Sequence, residues 1–148
     1  MKTIELAKDI IFLCKKYGYE FNNTKIQKLL YLFVGFCLMN NIKDIYNIDE
    51  KPKLWPYGPV FPRVHKKFFV IKYTNQDTTT SIQDEKTRLI LEKTVEKWGK
   101  ISAGKLSAWS HIEDSPWDNL VKQGYEWNTE MDLEDIGDYF SLRVENVI

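Results

Sequence analysis

Thr24-Lys25-Ile26-Gln27-Lys28-Leu29-Leu30-Tyr31-Leu32-Phe33-Val34-Gly35-Phe36-Cys37-Leu38-Met39 is the stretch that decides the fold. Ile26, Leu29, Leu30, Phe33 and Cys37 recur at helical spacing, and Tyr31, Leu32, Val34, Phe36 and Leu38 fill the remaining directions. A helix with apolar residues nearly all round must be enclosed by other elements, so this one is predicted to be the centre of the core. Thr24 and Gln27 carry the capping-box pattern, in which a hydroxyl accepts the Gln27 amide and the Gln27 side chain reaches back. The apolar run from Leu29 to Met39 is eleven residues long. At about 1.5 Å per residue it falls well short of a bilayer of about 30 Å, which points to burial in protein rather than in lipid.

Before this helix, Ile4, Ala7, Ile11 and Cys14, widened by Leu6, Ile10, Leu13 and Tyr17, predict a broadly buried helix over Thr3 to Tyr17, ended by Gly18. After it, Asn40-Asn41 breaks the pattern, and Ile42 to Pro59 reads as a loop with short extended pieces, one of them Lys53-Leu54-Trp55. Pro62 suits a first helical position, with Val64, Phe68 and Ile71 on one face and basic residues on the other. Thr74 to Ser81 is polar and without core candidates, and is predicted to be a mobile surface loop. A charged helix from about Ile82 to Trp98 turns Leu91, Val95 and Trp98 inward, with Gly99 placed to cap it. Ser102 starts a short helix through Leu106 and Trp109. Ser115-Pro116-Trp117-Asp118 combines a serine cap, proline at the first helical position and an acid at the third, and Gly124 ends that helix. Leu133, Ile136, Tyr139 and Phe140 predict a last amphipathic helix with acids at its positive end. The expected fold is mainly α: about six helices around a central hydrophobic helix, one or two short strands near Trp55, and one domain over residues 1–148.

Bulk properties agree. A chain of 148 residues can bury roughly 70% of the surface its unfolded form exposes. Basic and acidic residues each number 21, so no global field draws the chain to nucleic acid or anionic lipid. Locally the charge is uneven: Lys51 to Lys72 holds six basic residues and no acid, and Glu126 to Asp138 six acids and no base. Glu5, Lys8 and Asp9 interrupt the apolar residues of the start, unlike a secretory signal, and a cytoplasmic location is expected. Cys14 and Cys37 sit inside apolar helical patterns with no metal or redox spacing, as buried small hydrophobes would.

Three segments in order carry a resemblance: Thr24-Lys25-Ile26-Gln27-Lys28-Leu29-Leu30-Tyr31, then Trp55-Pro56-Tyr57-Gly58-Pro59-Val60, then His111-Ile112-Glu113-Asp114-Ser115-Pro116-Trp117. Together they resemble the Panacea, or SocA-like antitoxin, domain family, formerly a domain of unknown function, across about Glu5 to Leu120. Lys53-Leu54 before the tryptophan and Pro56 after it depart from the family pattern. The resemblance implies a compact helical domain of toxin–antitoxin pairs, often on prophages, that neutralises a cognate protein toxin by direct contact and needs no cofactor. It singles out Gln27, Lys28, Tyr31, Trp55, Tyr57, Gly58, Pro59, Arg63, His111, Ser115, Pro116 and Trp117 as motif positions that either build the fold or touch the toxin. Alternative roles are an adaptor that delivers a bound protein to a protease, or a DNA-binding autoregulator.

Sharper chemical readings are weaker. His111 with Glu113 and Asp114 lacks the spacing of known zinc or calcium motifs, and fits better as a hydrogen-bonding post that pins the loop before Ser115. Gly58 and Pro59 force a turn that holds Trp55 and Tyr57 either inward as core, the favoured reading, or outward as anchors. Arg63, Lys66 and Lys67 on one short helix suit, in descending order, a solvated face, a contact for an acidic toxin surface or for a toxin's nucleotide site, or DNA. No phosphate loop, nucleophile elbow or His-Glu-x-x-His is present, so recognition is expected rather than catalysis.

Overall fold

A computed structural model describes residues 1–148. Seven α-helices, against about six expected, and one short hairpin follow in the order α1 (Thr3–Tyr17), α2 (Asn23–Met39), a 3-10 turn (Lys43–Asn47), β1 (Lys53–Trp55), β2 (Gly58–Val60), α3 (Pro62–Ile71), α4 (Glu85–Trp98), α5 (Ala103–Ser110), α6 (Pro116–Lys122) and α7 (Leu133–Arg143). The hairpin pairs Lys53 with Val60 and Trp55 with Gly58 in antiparallel register. Helix α2 is the axis. Every residue from Lys25 to Leu38 is buried, and α1, α3, α4, α5, α7 and β2 all pack on it. Its all-round apolar character thus has its cause in an all-round set of neighbours. Gly35 admits the ring of Phe140 from α7, which lies where a side chain at position 35 would be. Phe140 also meets Phe36 at 5.3 Å and Tyr31 at 5.8 Å, both edge-on, the favoured arrangement for aromatic quadrupoles.

Helix α1 has the predicted bounds, with Gly18 left-handed at φ 74°. The start of α2 differs from the sequence expectation. The cap is Asn22, whose side chain accepts the Lys25 amide at 2.9 Å, and Thr24 lies inside the first turn. The Gln27 side chain does not return to Thr24; a backbone 34 residues away holds it. Gly99 is the C-cap of α4, as expected, but for a different reason. Its φ of −64° is ordinary helix, but a β-carbon there would collide with the Val95 carbonyl and the Tyr19 ring, so contact rather than conformation calls for glycine.

The Thr74 to Ser81 segment is tied down rather than free. Asp9, fully buried on α1, accepts Gln76 Nε2 at 2.7 Å, the Thr80 and Ser81 amides at 3.0 and 2.9 Å, and the Ser81 hydroxyl. A carboxylate removed from water needs such a set of donors, and here the loop supplies it. Helix α4 consequently starts at Glu85, later than Ile82, with Asp84 accepting the Thr87 amide and hydroxyl. Ser115 caps α6 by accepting the Asp118 amide at 3.1 Å, as its sequence predicts. No helix is long and apolar enough to cross a membrane.

Candidate interaction surface

Two residues of the first motif, one turn into α2, hold the hairpin and the start of α3. Gln27 Oε1 accepts the Phe61 amide at 2.7 Å while its Nε2 donates to the Phe61 carbonyl at 3.2 Å, so one side chain satisfies the backbone just before α3. Lys28, 1% exposed, donates from Nζ to the Pro59 carbonyl at 3.0 Å. Burial pushes its pKa down to about 8, because a low-dielectric site disfavours the ammonium form. Gly58 stands at φ 111°, and a β-carbon there would clash with the Ser110 hydroxyl and press on Lys28 Cε at 3.1 Å. Glycine is required there on both counts. Tyr57, at the hairpin tip, is 77% exposed, while its carbonyl accepts the Ser107 hydroxyl at 2.9 Å.

The second and third motifs meet through tryptophans. Trp117 Nε1 donates to the Trp55 carbonyl at 2.7 Å, and Trp55 Nε1 donates to Asn128 Oδ1 at 3.1 Å. His111 lies against Trp117 with ring centres 4.6 Å apart and its Nε2 is 3.3 Å from Ser107 Oγ. It therefore braces α5 against α6 instead of pinning the loop itself. Ser115 and Pro116 are buried, and Ser115 also donates to the Ser110 carbonyl at 3.3 Å. Tyr31 is buried among Trp109 and Phe140, and burial pushes its phenol pKa far up. Glu113 and Asp114 lie 4.0 and 3.9 Å from Lys122 Nζ, and neither forms an ion pair with His111. No group of three or more His, Cys, Asp or Glu side chains converges as a metal site would require.

The favoured inward reading of the hairpin aromatics is thus corrected for Tyr57 and holds only in part for Trp55, which is half-buried against His65 at 5.0 Å. Gly58 and Pro59 turn the chain so tightly over α2 that the tip residue has no core left to enter. Arg63 is exposed too, but its guanidinium is taken up by Asp49 at 3.0 Å and Glu50 at 3.9 Å. The remaining motif residues face inward or lie half-covered in the seams between elements. Neither thiol is poised for nucleophilic work: burial raises the Cys14 pKa to about 11, against a smaller opposite pull from Lys25, and raises that of Cys37 as well.

Large apolar side chains left in solvent gather elsewhere. Phe69, Val70 and Tyr73, at and just beyond the end of α3, are each more than 70% exposed, as is Leu142 at the end of α7. The α3 group was not among the motif positions, although its signal is present in the sequence. Phe68-Phe69-Val70-Ile71 is a run of four apolar residues in a helix, and at about 100° per residue they cannot share one face. With Phe68 and Ile71 inward, Phe69 and Val70 must point out.

Comparison with known proteins covers the region in which the three motif segments lie, from Ile26 onward. The family model described as "Antitoxin SocA-like, Panacea domain" matches residues 26–118, more than half of the chain. Antitoxin SocA of Caulobacter vibrioides (strain NA1000 / CB15N) is 26% identical over 114 residues, covering 68% of this chain and 60% of the relative. The chain thus spans less than two thirds of that curated protein's length. No solved structure matches.

Proposed function

The chain belongs to the SocA-like, Panacea-domain antitoxin family, and from that premise we propose that it neutralises a cognate protein toxin by direct binding, without catalysis of its own. The family match over residues 26–118 carries this reading. The side chains with the most distinctive chemistry are already engaged: Gln27 with Phe61, Lys28 with Pro59, Trp117 with Trp55. What remains for a partner is outer surface bearing uncovered aromatic rings, the kind of group that anchors protein interfaces. On this reading the whole chain acts as one domain in the cytoplasm, where its toxin acts. Motif residues shape the platform, and of the hairpin's two aromatic rings Tyr57 is the one that projects from it.

The test is co-expression with the protein encoded by the adjacent gene, recording growth and copurification. Rescue of growth together with a stable one-to-one complex is expected. Rescue with faster turnover of the partner and no stable complex would indicate delivery to a protease instead, and neither rescue nor complex would overturn the antitoxin reading for that pair.

A further inference from the structure

We infer that the outer face of α3, with Phe69, Val70 and Tyr73 as its ridge, is the docking surface for a protein partner that presents an apolar projection within an acidic rim. This rests on the antitoxin reading and specifies which surface, and what kind of partner surface, that reading requires. The ridge is 78%, 71% and 74% exposed at those three residues. Other exposed rings such as Tyr46 and Tyr57 stand apart in sequence, whereas here three large apolar side chains within five residues are left in water, an unoffset cost in the free molecule. Covering them repays it.

The ridge stands between two clefts. One, of about 510 Å³, runs between Phe21 and Asn23 at the start of α2 and Phe68, Phe69 and Tyr73. The other, of about 380 Å³, lies on the α1 side against Ile4, Lys67 and Val70. A ridge flanked by hollows can interlock with side chains, which a flat patch cannot. Phe21 stacks on Phe68 with ring centres 6.4 Å apart, giving the first cleft an aromatic wall. The base of the ridge is fixed, because Lys15 Nζ donates to the carbonyls of Lys72 and Thr74 at 3.3 and 3.1 Å.

Charge gives the sign of the partner. Helix α3 contains no acid. Arg63 at its far end is neutralised by Asp49 and Glu50, but Lys66, Lys67 and Lys72 form no ion pair. Lys72 instead lies over the Phe69 and Tyr73 rings, 4.8 and 5.0 Å from their centres. Uncompensated cations around an apolar centre favour carboxylates at the rim of a partner. Three free lysines on a chain with no net charge are few for a phosphate backbone, whose affinity grows with each charge neutralised. The clefts have lysines among their walls, but most of their lining is apolar and suits side chains better than phosphates, so a protein partner is favoured over a nucleic acid.

The experiment titrates four forms of the full chain against the purified protein encoded by the adjacent gene, at low and high salt. Wild type is compared with F69D/Y73D, K66E/K67E and L142D, the last at the end of α7 beside Asp135 and Asp138, with thermal melts confirming that each is folded. F69D/Y73D is expected to weaken binding roughly 30-fold or more, as loss of a central aromatic anchor does. K66E/K67E is expected to weaken it about 5–10-fold at low salt and less at high salt, with L142D within about twofold of wild type, as surface changes outside the contact are. Binding by F69D/Y73D within about threefold of wild type overturns the inference, as does tighter binding by K66E/K67E. So would self-association, or binding of a random-sequence oligonucleotide in preference to the protein, that F69D/Y73D removes. If wild type itself forms no complex, the antitoxin reading fails and the surface falls with it, an outcome distinct from a wild-type complex indifferent to F69D/Y73D.

Discussion

Gly58–Phe61 and Phe69–Tyr73 are separated by less than three turns of helix, yet the chain treats them in opposite ways. At the first, backbone is pressed onto α2 so closely that Gly58 has no room for a β-carbon, and Gln27 and Lys28 meet the Phe61 and Pro59 backbone groups from below. At the second, three apolar side chains, two of them aromatic, stand in solvent. The difference separates two demands on one helical scaffold. Distinctive motif residues accumulate where backbone must be held, because a buried amide or carbonyl left unpaired is expensive. A binding face needs only exposed shape and charge, which many sequences supply.

That contrast predicts a gradient of stability effects, largest at the hairpin. Gly58→Ala should cost about 3 kcal/mol or more, combining a strained φ with a clash against Ser110 and Lys28. For a chain of this size that is a fall in Tm of roughly 6–12 °C, read from thermal melts. An unchanged Tm would mean the hairpin does not bear on α2 as described.

Lys28 sharpens the comparison through pH. Its folded pKa of about 8 lies below the ordinary 10.5, so between those values the unfolded chain holds more protons and stability rises with pH. The penalty is fully present below about pH 8 and is relieved by about 10.5. The total is of order 3 kcal/mol. Tyr31 and the two cysteines, whose pKa values are raised, act in the opposite sense at high pH. The clean measurement is therefore the difference between wild type and Lys28→Met in denaturant titrations from pH 7 to 10.5. Wild type should gain on the variant by about 3 kcal/mol across that range; parallel curves would show Lys28 to be hydrated.

Gln27→Ala should cost about 2 kcal/mol by orphaning the Phe61 amide, whereas the Phe61 carbonyl keeps the His65 amide at 3.1 Å. Gln27→Glu should be no better: its carboxylate can still accept the Phe61 amide, but it buries a negative charge against the Phe61 carbonyl to which it cannot donate. Smallest of all, Phe69→Asp should change stability by less than about 0.5 kcal/mol, the usual range for surface positions. A loss above about 2 kcal/mol would put Phe69 in the core and remove the contrast.

How much of this could be read in one dimension depended on the range of the forces involved. Helix α1, the Ser115-Pro116 start of α6 and the central standing of α2 follow from residues close in sequence, through periodicity and caps, and were legible. The start of α2 misled because Asn22 and Thr24 are both good caps, and the residue that would choose between them, Gln27, is held by Phe61. Thr74 to Ser81 looked free because its anchor, Asp9, sits in the apolar stripe of α1 and shows no sign in sequence of receiving a loop. Lys28 likewise reads as an exposed lysine until β2 is laid over it. The motifs located the seams correctly, but only the fold distinguishes Tyr57, which projects, from Lys28 and Pro59, which are covered.

Hydrogen–deuterium exchange on the free chain and on its complex with the adjacent-gene protein tests most directly the claim that the motifs build the platform and α3 meets the partner. Slowed exchange over residues 66–73, with residues 26–31 and 57–60 unchanged, is the predicted result. Protection concentrated at 57–60 and 115–117, with 66–73 exchanging as in the free chain, would contradict it.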